Sequence, residues 1–240
     1  MRFQDTRFWK NYHQYDKMVE DSSCRCTVDA VIYWKLLKYF QFNQAIEIGT
    51  YQGLTSGLIL ESNPNCKLIG VDPLDLLDIF RKNYPECQDR FTFLNIKSQD
   101  LKLTNQEFDF VLVDSRWEYE SIRTDIEILL PRLKKSGVIA FSMYKRENTS
   151  ADVLRALKEL PNQSNEWVPF LRTPQTEFWH HPSCDRGDFL DSLFTDPISN
   201  FILIENQVDK FENTVCVAKS IRMFTDYPAY FDLALKHYNI

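Results

Sequence analysis

Glycine and histidine are scarce in this chain, with six and four residues among 240, and no stretch is rich in Gly, Ser and Pro together. That scarcity excludes flexible linkers, collagen-like repeats and low-complexity tails, and it leaves one large domain as the default for this length. No apolar run approaches the ~20 residues that cross a bilayer. The opening Met1-Arg2-Phe3-Gln4-Asp5 has no basic-then-apolar leader profile, so a cytoplasmic protein with no membrane partner is expected. Cys24, Cys26, Cys66, Cys87, Cys184 and Cys216 fall at irregular intervals in a chain too large to need disulfide staples, and they read as reduced thiols. Cys24-Arg25-Cys26 lacks a second close Cys/His pair at zinc-ligand spacing. Positive charge is also in deficit: 28 Lys and Arg stand against 34 Asp and Glu, a net charge of −6. A surface built to neutralise a long phosphate backbone is thereby excluded, and bulk nucleic acid is not an expected partner.

What the chain does have is alternation. From about residue 44 to 160, short apolar runs bounded by turn residues alternate with amphipathic segments, the pattern of βαβ units around a parallel sheet. Strands are predicted over Gln44 to Ile48, Lys67 to Val71, Phe91 to Asn95, Asp109 to Val113 and Gly137 to Phe141. Thr27 caps a predicted helix running to Phe40. Tyr119, Ile122, Ile126, Leu129, Leu130 and Leu133 step by three and four down another, which Pro131 should kink. Thr149 and Asp152 read as a capping box opening a third. Residues 161–200 show no clear periodicity and are expected to form an irregular insert, a candidate lid over a substrate. Phe201 to Glu205 and Thr214 to Lys219 read as an antiparallel hairpin, followed by a C-terminal helix. The expected organisation is one domain: a helical segment (1–43), a core (44–160), an insert (161–200), and the hairpin with its helix (201–240).

Four strand ends carry the chemistry. Ala45-Ile46-Glu47-Ile48-Gly49-Thr50-Tyr51-Gln52-Gly53 runs from an apolar strand through glycines toward a helix. Such a turn lets a ligand approach the backbone and aims free N–H groups at negative charge. The second strand ends in Asp72, where a carboxylate can accept both hydroxyls of a ribose. After the third strand, Ser98 and Gln99 can reach an adenine edge. The fourth ends in Asp114, at the carboxyl-end crevice where open α/β sheets bind ligands.

Together these pieces resemble the class I S-adenosylmethionine (SAM)-dependent methyltransferases, most closely the compact branch acting on small molecules and sugars at oxygen. The resemblance spans roughly Gln44 to Tyr144. It rests on Glu47, Gly49 and Gly53 in the first loop, on Asp72, on Asp114 followed by Tyr119-Glu120, and on Ser136-Gly137 before the fifth strand. It implies a Rossmann-like α/β three-layer sandwich: a mostly parallel seven-stranded sheet with a C-terminal antiparallel hairpin. It further implies SAM as cofactor, held by Glu47, Gly49, Thr50, Tyr51, Gly53, Asp72, Ser98, Gln99 and Asp114, and a small-molecule or sugar acceptor. A homo-oligomer is compatible with this reading.

Departures from the family pattern bear on catalysis. Metal-using relatives place acidic or amide ligands after the fifth strand; here Ser142-Met143 stand there, and neither suits a hard cation, so no metal site is expected. Asp-His in the loop after the fourth strand is replaced by Arg116-Trp117. Methyl transfer is an in-line displacement that mainly needs alignment and exclusion of water. If the acceptor is a hydroxyl, His180 or His181 in the insert is the candidate base. A methyltransferase-fold protein without catalysis, serving as a binding or partner subunit, is the alternative. A nicotinamide-dependent dehydrogenase fits less well, because Gly49, Gly53 and Gly57 fall four apart and miss the G-x-G-x-x-G spacing.

Overall fold

The computed structural model describes residues 5–10, 27–116, 118–142, 149–159, 167–172, 176–181, 183–184, 209–211 and 214–216. In chain order the helices are α1 (Arg7–Lys10), α2 (Thr27–Phe40), α3 (Leu54–Ser62), α4 (Asp78–Asn83), α5 (Tyr119–Leu129) and α6 (Thr149–Glu159). The strands are β1 (Gln44–Ile48), β2 (Lys67–Val71), β3 (Phe91–Leu94), β4 (Phe108–Val113), β5 (Leu133–Ser142), β6 (Val168–Arg172), β7 (Thr176–His180), β8 (Asp209–Phe211) and β9 (Thr214–Cys216). They form one sheet in the order β3-β2-β1-β4-β5-β7-β6-β9-β8.

β1 to β5 pair in parallel, as crossover connections between successive strands allow. Because side chains alternate across a strand, each central strand feeds two cores. Ala45, Phe110, Leu112, Val138, Ala140 and Phe178 face α2 and α3, where Tyr33, Leu36 and Leu58 meet them. Ile46, Ile48, Val111, Val113, Ile139 and Phe141 face α5 and α6, against Ile122, Ile126, Leu129, Val153 and Leu157. These are the three layers expected. Tyr33 is wedged between Phe110 and Phe178, with ring centroids 6.2 and 5.1 Å away.

Several expectations need correction. Pro131 ends α5 instead of kinking it: Leu130–Arg132 form a single 3₁₀ turn, and β5 starts at Leu133, four residues before the expected Gly137. The register slips between Phe108 and Phe110, which pair with Leu133 and Val138, so the early part of β5 bulges. The larger correction concerns residues 161–200, which supply β6 and β7 and are not irregular throughout. β7 runs antiparallel to both β5 and β6. The antiparallel hairpin next to the parallel core is therefore Val168–Arg172 with Thr176–His180, and the described residues hold nine strands where seven were expected. Of the hairpin expected further on, Thr214–Cys216 is a strand, paired antiparallel with Asp209–Phe211. Residues 201–208 and the expected C-terminal helix lie outside the described residues, as do Cys24 and Cys26. No helix among the described residues is long and apolar enough to cross a membrane.

Arg90 locks the end of α3 in place. Its guanidinium donates to the carbonyl of Leu60 (3.0 Å) in the last turn of α3, where a helix leaves its carbonyls without intrahelical partners, and to those of Asn63 (3.1 Å) and Cys66 (2.9 Å) in the turn that follows. The free, buried thiols of Cys66 and Cys87 flank it, and burial pushes them up to about 12 and about 11, so both stay protonated and unreactive. Arg90→Ala should cost about 2–3 kcal/mol, because three part-buried carbonyls lose a charged donor. A denaturant titration with an unchanged midpoint would contradict this.

Candidate functional site

The strand order reverses between β1 and β4: β2 and β3 lie to one side, β5 to the other. Such a switch point opens a crevice at the carboxyl ends of the two strands, since their connections leave in opposite directions. The ladder continues one residue past each strand there. Gly49 N–H donates to Val71 O (2.8 Å), Asp114 N–H to Ile48 O (2.8 Å) and Asp72 N–H to Leu94 O (3.2 Å). Gly49, Asp72 and Asp114 thus stand at one level along the crevice edge.

The glycine loop takes its shape from two positive-φ positions, Gly49 at +87° and Gly53 at +73°. A Cβ on Gly49 would lie 2.1 Å from the Asp114 carbonyl oxygen, so the β1 and β4 loops meet backbone to backbone. Tyr51 also sits at positive φ, +48°, which a non-glycine residue adopts only where its surroundings enforce it. Asp72 enforces it: Tyr51 N–H donates to Asp72 Oδ2 at 2.8 Å, while Leu74 N–H donates to Oδ1 at 2.9 Å. Asn95 Nδ2 donates to the Asp72 carbonyl at 3.1 Å and braces it from the β3 side. Asp72 is buried, yet each carboxylate oxygen accepts only one of these bonds, and an ionised carboxylate has about four acceptor sites. Capacity for two more donors remains.

Glu47 plays a supporting part. It is buried inside β1, opposite Gly70 and Leu112, and the Ser56 hydroxyl of α3 donates to it. Its carboxylate therefore anchors the first turn of α3 under the glycine loop. Thr50 is buried with its hydroxyl toward Gly70, and Gly53 N–H closes a turn on Thr50 O at 2.9 Å. Ser98 and Gln99 lie in a short 3₁₀ turn, Ser98 half-buried and Gln99 exposed. Asp114 is half-buried at the lip. The residues chosen from sequence around the first, second and fourth strands are thus brought together at one crevice.

The two histidines are not. Because β7 is antiparallel, Thr176 pairs with Ser142 at the crevice end of β5, whereas His180 pairs with Val138. Four residues at ~3.3 Å each place His180 about 13 Å from the crevice edge. His180 Nδ1 bonds the His181 carbonyl (2.7 Å), His181 Nδ1 bonds the Ser183 hydroxyl (2.6 Å), and Trp167 packs edge-on to the His181 ring. Both histidines are buried. His181→Ala should leave the affinity for an adenosyl ligand unchanged within about twofold, measurable by calorimetry. Trp117, Met143 and Tyr144 lie outside the described residues.

Two buried carboxylates near the carboxyl ends of the strands were not read from the sequence. Glu177, the second residue of β7, pairs with Phe141, one residue inside the Ser142 level. Asp125, on α5, accepts the Ser115 hydroxyl at 2.8 Å. Among the described residues no group of three or more His, Cys, Asp and Glu side chains could hold a metal ion.

Residues 46–142 match a family profile described as a methyltransferase domain. A comparison with curated protein sequences finds no match. Among solved structures, the chain resembles the SAH-bound methyltransferase PaMTH1 of Podospora anserina at 12% identity, with a TM-score of 0.55 over 72% of this chain and 87% of that one. It also resembles the O-methyltransferase TomG of Streptomyces achromogenes, solved in complex with SAM, at 13% identity, with a TM-score of 0.56 over 74% and 90%. At these identities the likeness concerns the fold.

Proposed function

From the match of residues 46–142 to a methyltransferase-domain profile, we propose that the protein transfers the methyl group of SAM to an oxygen of a small-molecule or glycan-precursor acceptor, without a catalytic metal. The observation that carries this reading is Asp72. Its carboxylate is fixed by the N–H groups of Tyr51 and Leu74 and keeps acceptor capacity for a vicinal diol. Gly49 supports it, since its missing side chain lets the β1 loop pack directly against the backbone of Asp114 and so brings the two loops together at the crevice.

In this reading Asp72 holds the ribose, Ser98 and Gln99 flank the adenine, and the Gly49–Gly53 loop with Asp114 takes the amino-acid end. SAM, when bound, supplies an electrophilic methyl on a sulfonium sulfur. The chain's own task is then to align the acceptor and exclude water. The acceptor belongs beyond Asp114, where the ends of β5 and β7 continue the same crevice edge and offer Ser142, Thr176 and Glu177. The metal-independent part rests on Ser142-Met143, which lack hard-cation donors.

Titration with SAM, with S-adenosylhomocysteine (SAH) and with a reduced nicotinamide cofactor tests the reading. Saturable micromolar binding of the adenosyl ligands alone is expected, and absence of that binding would overturn it. The second reading, a non-catalytic methyltransferase-fold partner protein, is favoured by Arg116-Trp117 in place of the loop histidine. Tight SAH binding with no transfer of labelled methyl to any acceptor class would establish it.

A further inference from the structure

Arg116 is placed against its local electrostatics. It is exposed in the loop after β4, just ahead of α5, at the end of the helix dipole that repels a cation. Glu118 and Glu120 open that helix, yet no carboxylate or carbonyl among the described residues takes the Arg116 guanidinium. Other arginines are placed differently. Arg81 holds Asp75 and Asp78, Arg123 holds Glu127, Arg155 holds Glu159, Arg7 holds Glu86, and Arg90 holds its three carbonyls. Arg132 has no such partner either, but it follows α5, at the helix end that attracts a cation.

The backbone that carries Arg116 is held from two sides. Gly49 lies against the Asp114 carbonyl and the Ser115 Cα, and Asp114 N–H donates to Ile48 O at 2.8 Å. From the helix side, the buried Asp125 carboxyl accepts the Ser115 hydroxyl at 2.8 Å. A guanidinium carried on a fixed backbone loses less freedom when it binds. Its planar fork matches the oxygens of a carboxylate or a phosphate two at a time. In the sheet β4 lies between β1 and β5, so this cation stands on the acceptor side of the crevice, away from Asp72 at the end of β2. From β2 to β7 the other charged side chains described at the strand ends are Asp72, Asp114 and Glu177, all acids. Such an edge repels an anionic acceptor unless a cation stands beside it, and a neutral acceptor needs none.

We propose that Arg116 is a specificity-determining residue and that the acceptor is an anion: the guanidinium pairs with a carboxylate or phosphate group carried by the molecule whose hydroxyl is methylated. This rests on the reading of the crevice as an adenosyl site with the acceptor beyond Asp114. The anionic group docks at Arg116 and stays unmodified, while the hydroxyl elsewhere on the same molecule is turned toward the crevice.

The test is calorimetry on the SAH-loaded protein with two matched pairs of probes, para-hydroxybenzoate against para-hydroxybenzamide and glycerol phosphate against glycerol. The anionic member of at least one pair should bind about tenfold more tightly than its neutral partner, and which pair shows it separates carboxylate from phosphate. Arg116→Gln should erase that preference while SAH affinity stays within about twofold of wild type. Arg116→Lys, a point charge without the fork, should keep a smaller preference. The melting temperature of Arg116→Gln should be no lower than that of wild type, because the cation at the dipole's positive end is gone. Absence of any preference in the wild-type protein, including no binding by either anion, would overturn the proposal, and so would a preference that survives in Arg116→Gln. The same titrations on the unliganded protein separate the two readings. If SAH does not bind, the adenosyl reading falls, while an anion preference that depends on Arg116 would still stand.

Discussion

Asp72→Asn should weaken SAH binding about a hundredfold while the protein stays folded. A neutral amide accepts through one oxygen only, so either the Tyr51 or the Leu74 N–H now faces an NH₂ group. The acceptor capacity left for a ribose diol falls by at least half. Two hydrogen bonds to a charged group, at about 1.5 kcal/mol each, give the expected ~3 kcal/mol, or two decades in Kd. Because Tyr51 is held at positive φ by this same carboxylate, the variant should also relax the loop, and Tyr51→Gly should recover part of the lost affinity. Calorimetry on the two single variants and the double variant checks both points. Asp72→Asn binding as tightly as wild type would show that the carboxylate only shapes the loop.

Gly49→Ala should lower thermal stability and abolish adenosyl binding together. Left-handed backbone costs a non-glycine residue about 1–2 kcal/mol. The added methyl would also meet the Asp114 carbonyl oxygen at 2.1 Å, so the loop after β4 must shift, at a further cost of about 1–3 kcal/mol. A total near 3 kcal/mol corresponds to a Tm lowered by roughly 6–12 °C in a domain of this size. The shift moves Asp114 and Ser115, both on the crevice wall, which is why binding should fail even in the fraction that remains folded. A melting curve superimposed on wild type would contradict the backbone contact.

The parallel core was legible because its signals are local. The first two strands have the predicted bounds, and the third and fourth differ by one residue at one end. β6 and β7 were not legible, for a physical reason. Pro169 within Val168–Arg172 reads as an interruption, and Thr-Glu-Phe-Trp-His followed by His-Pro carries no clean alternation of apolar and polar residues. What makes these segments strands is pairing with β5, more than thirty residues upstream, and no window of sequence contains that partner. The histidines were misplaced for the same reason: their chemistry is visible in the sequence, whereas the direction of β7, which carries them to the far end of the sheet, is not. At the crevice, Gly49 and Asp72 were legible from motif spacing. Asp125 left a signal that went unread, an acid at a position bracketed by Ile122, Ile126 and Leu129 on the face that must be buried. Glu177 left none.

The hairpin of β6 and β7 also guards the protein against itself. β5 is ten residues long and buried at seven of them, and on its outer side only β7 satisfies its backbone. A chain that stopped short of Thr176 would present that side as an apolar, unpaired edge, a template for intermolecular pairing and aggregation. The same vulnerability exists for as long as synthesis has delivered β5 but not yet the hairpin. A shortened form made for crystallisation should therefore be cut beyond Cys184, since any cut before Val168 trades solubility for size.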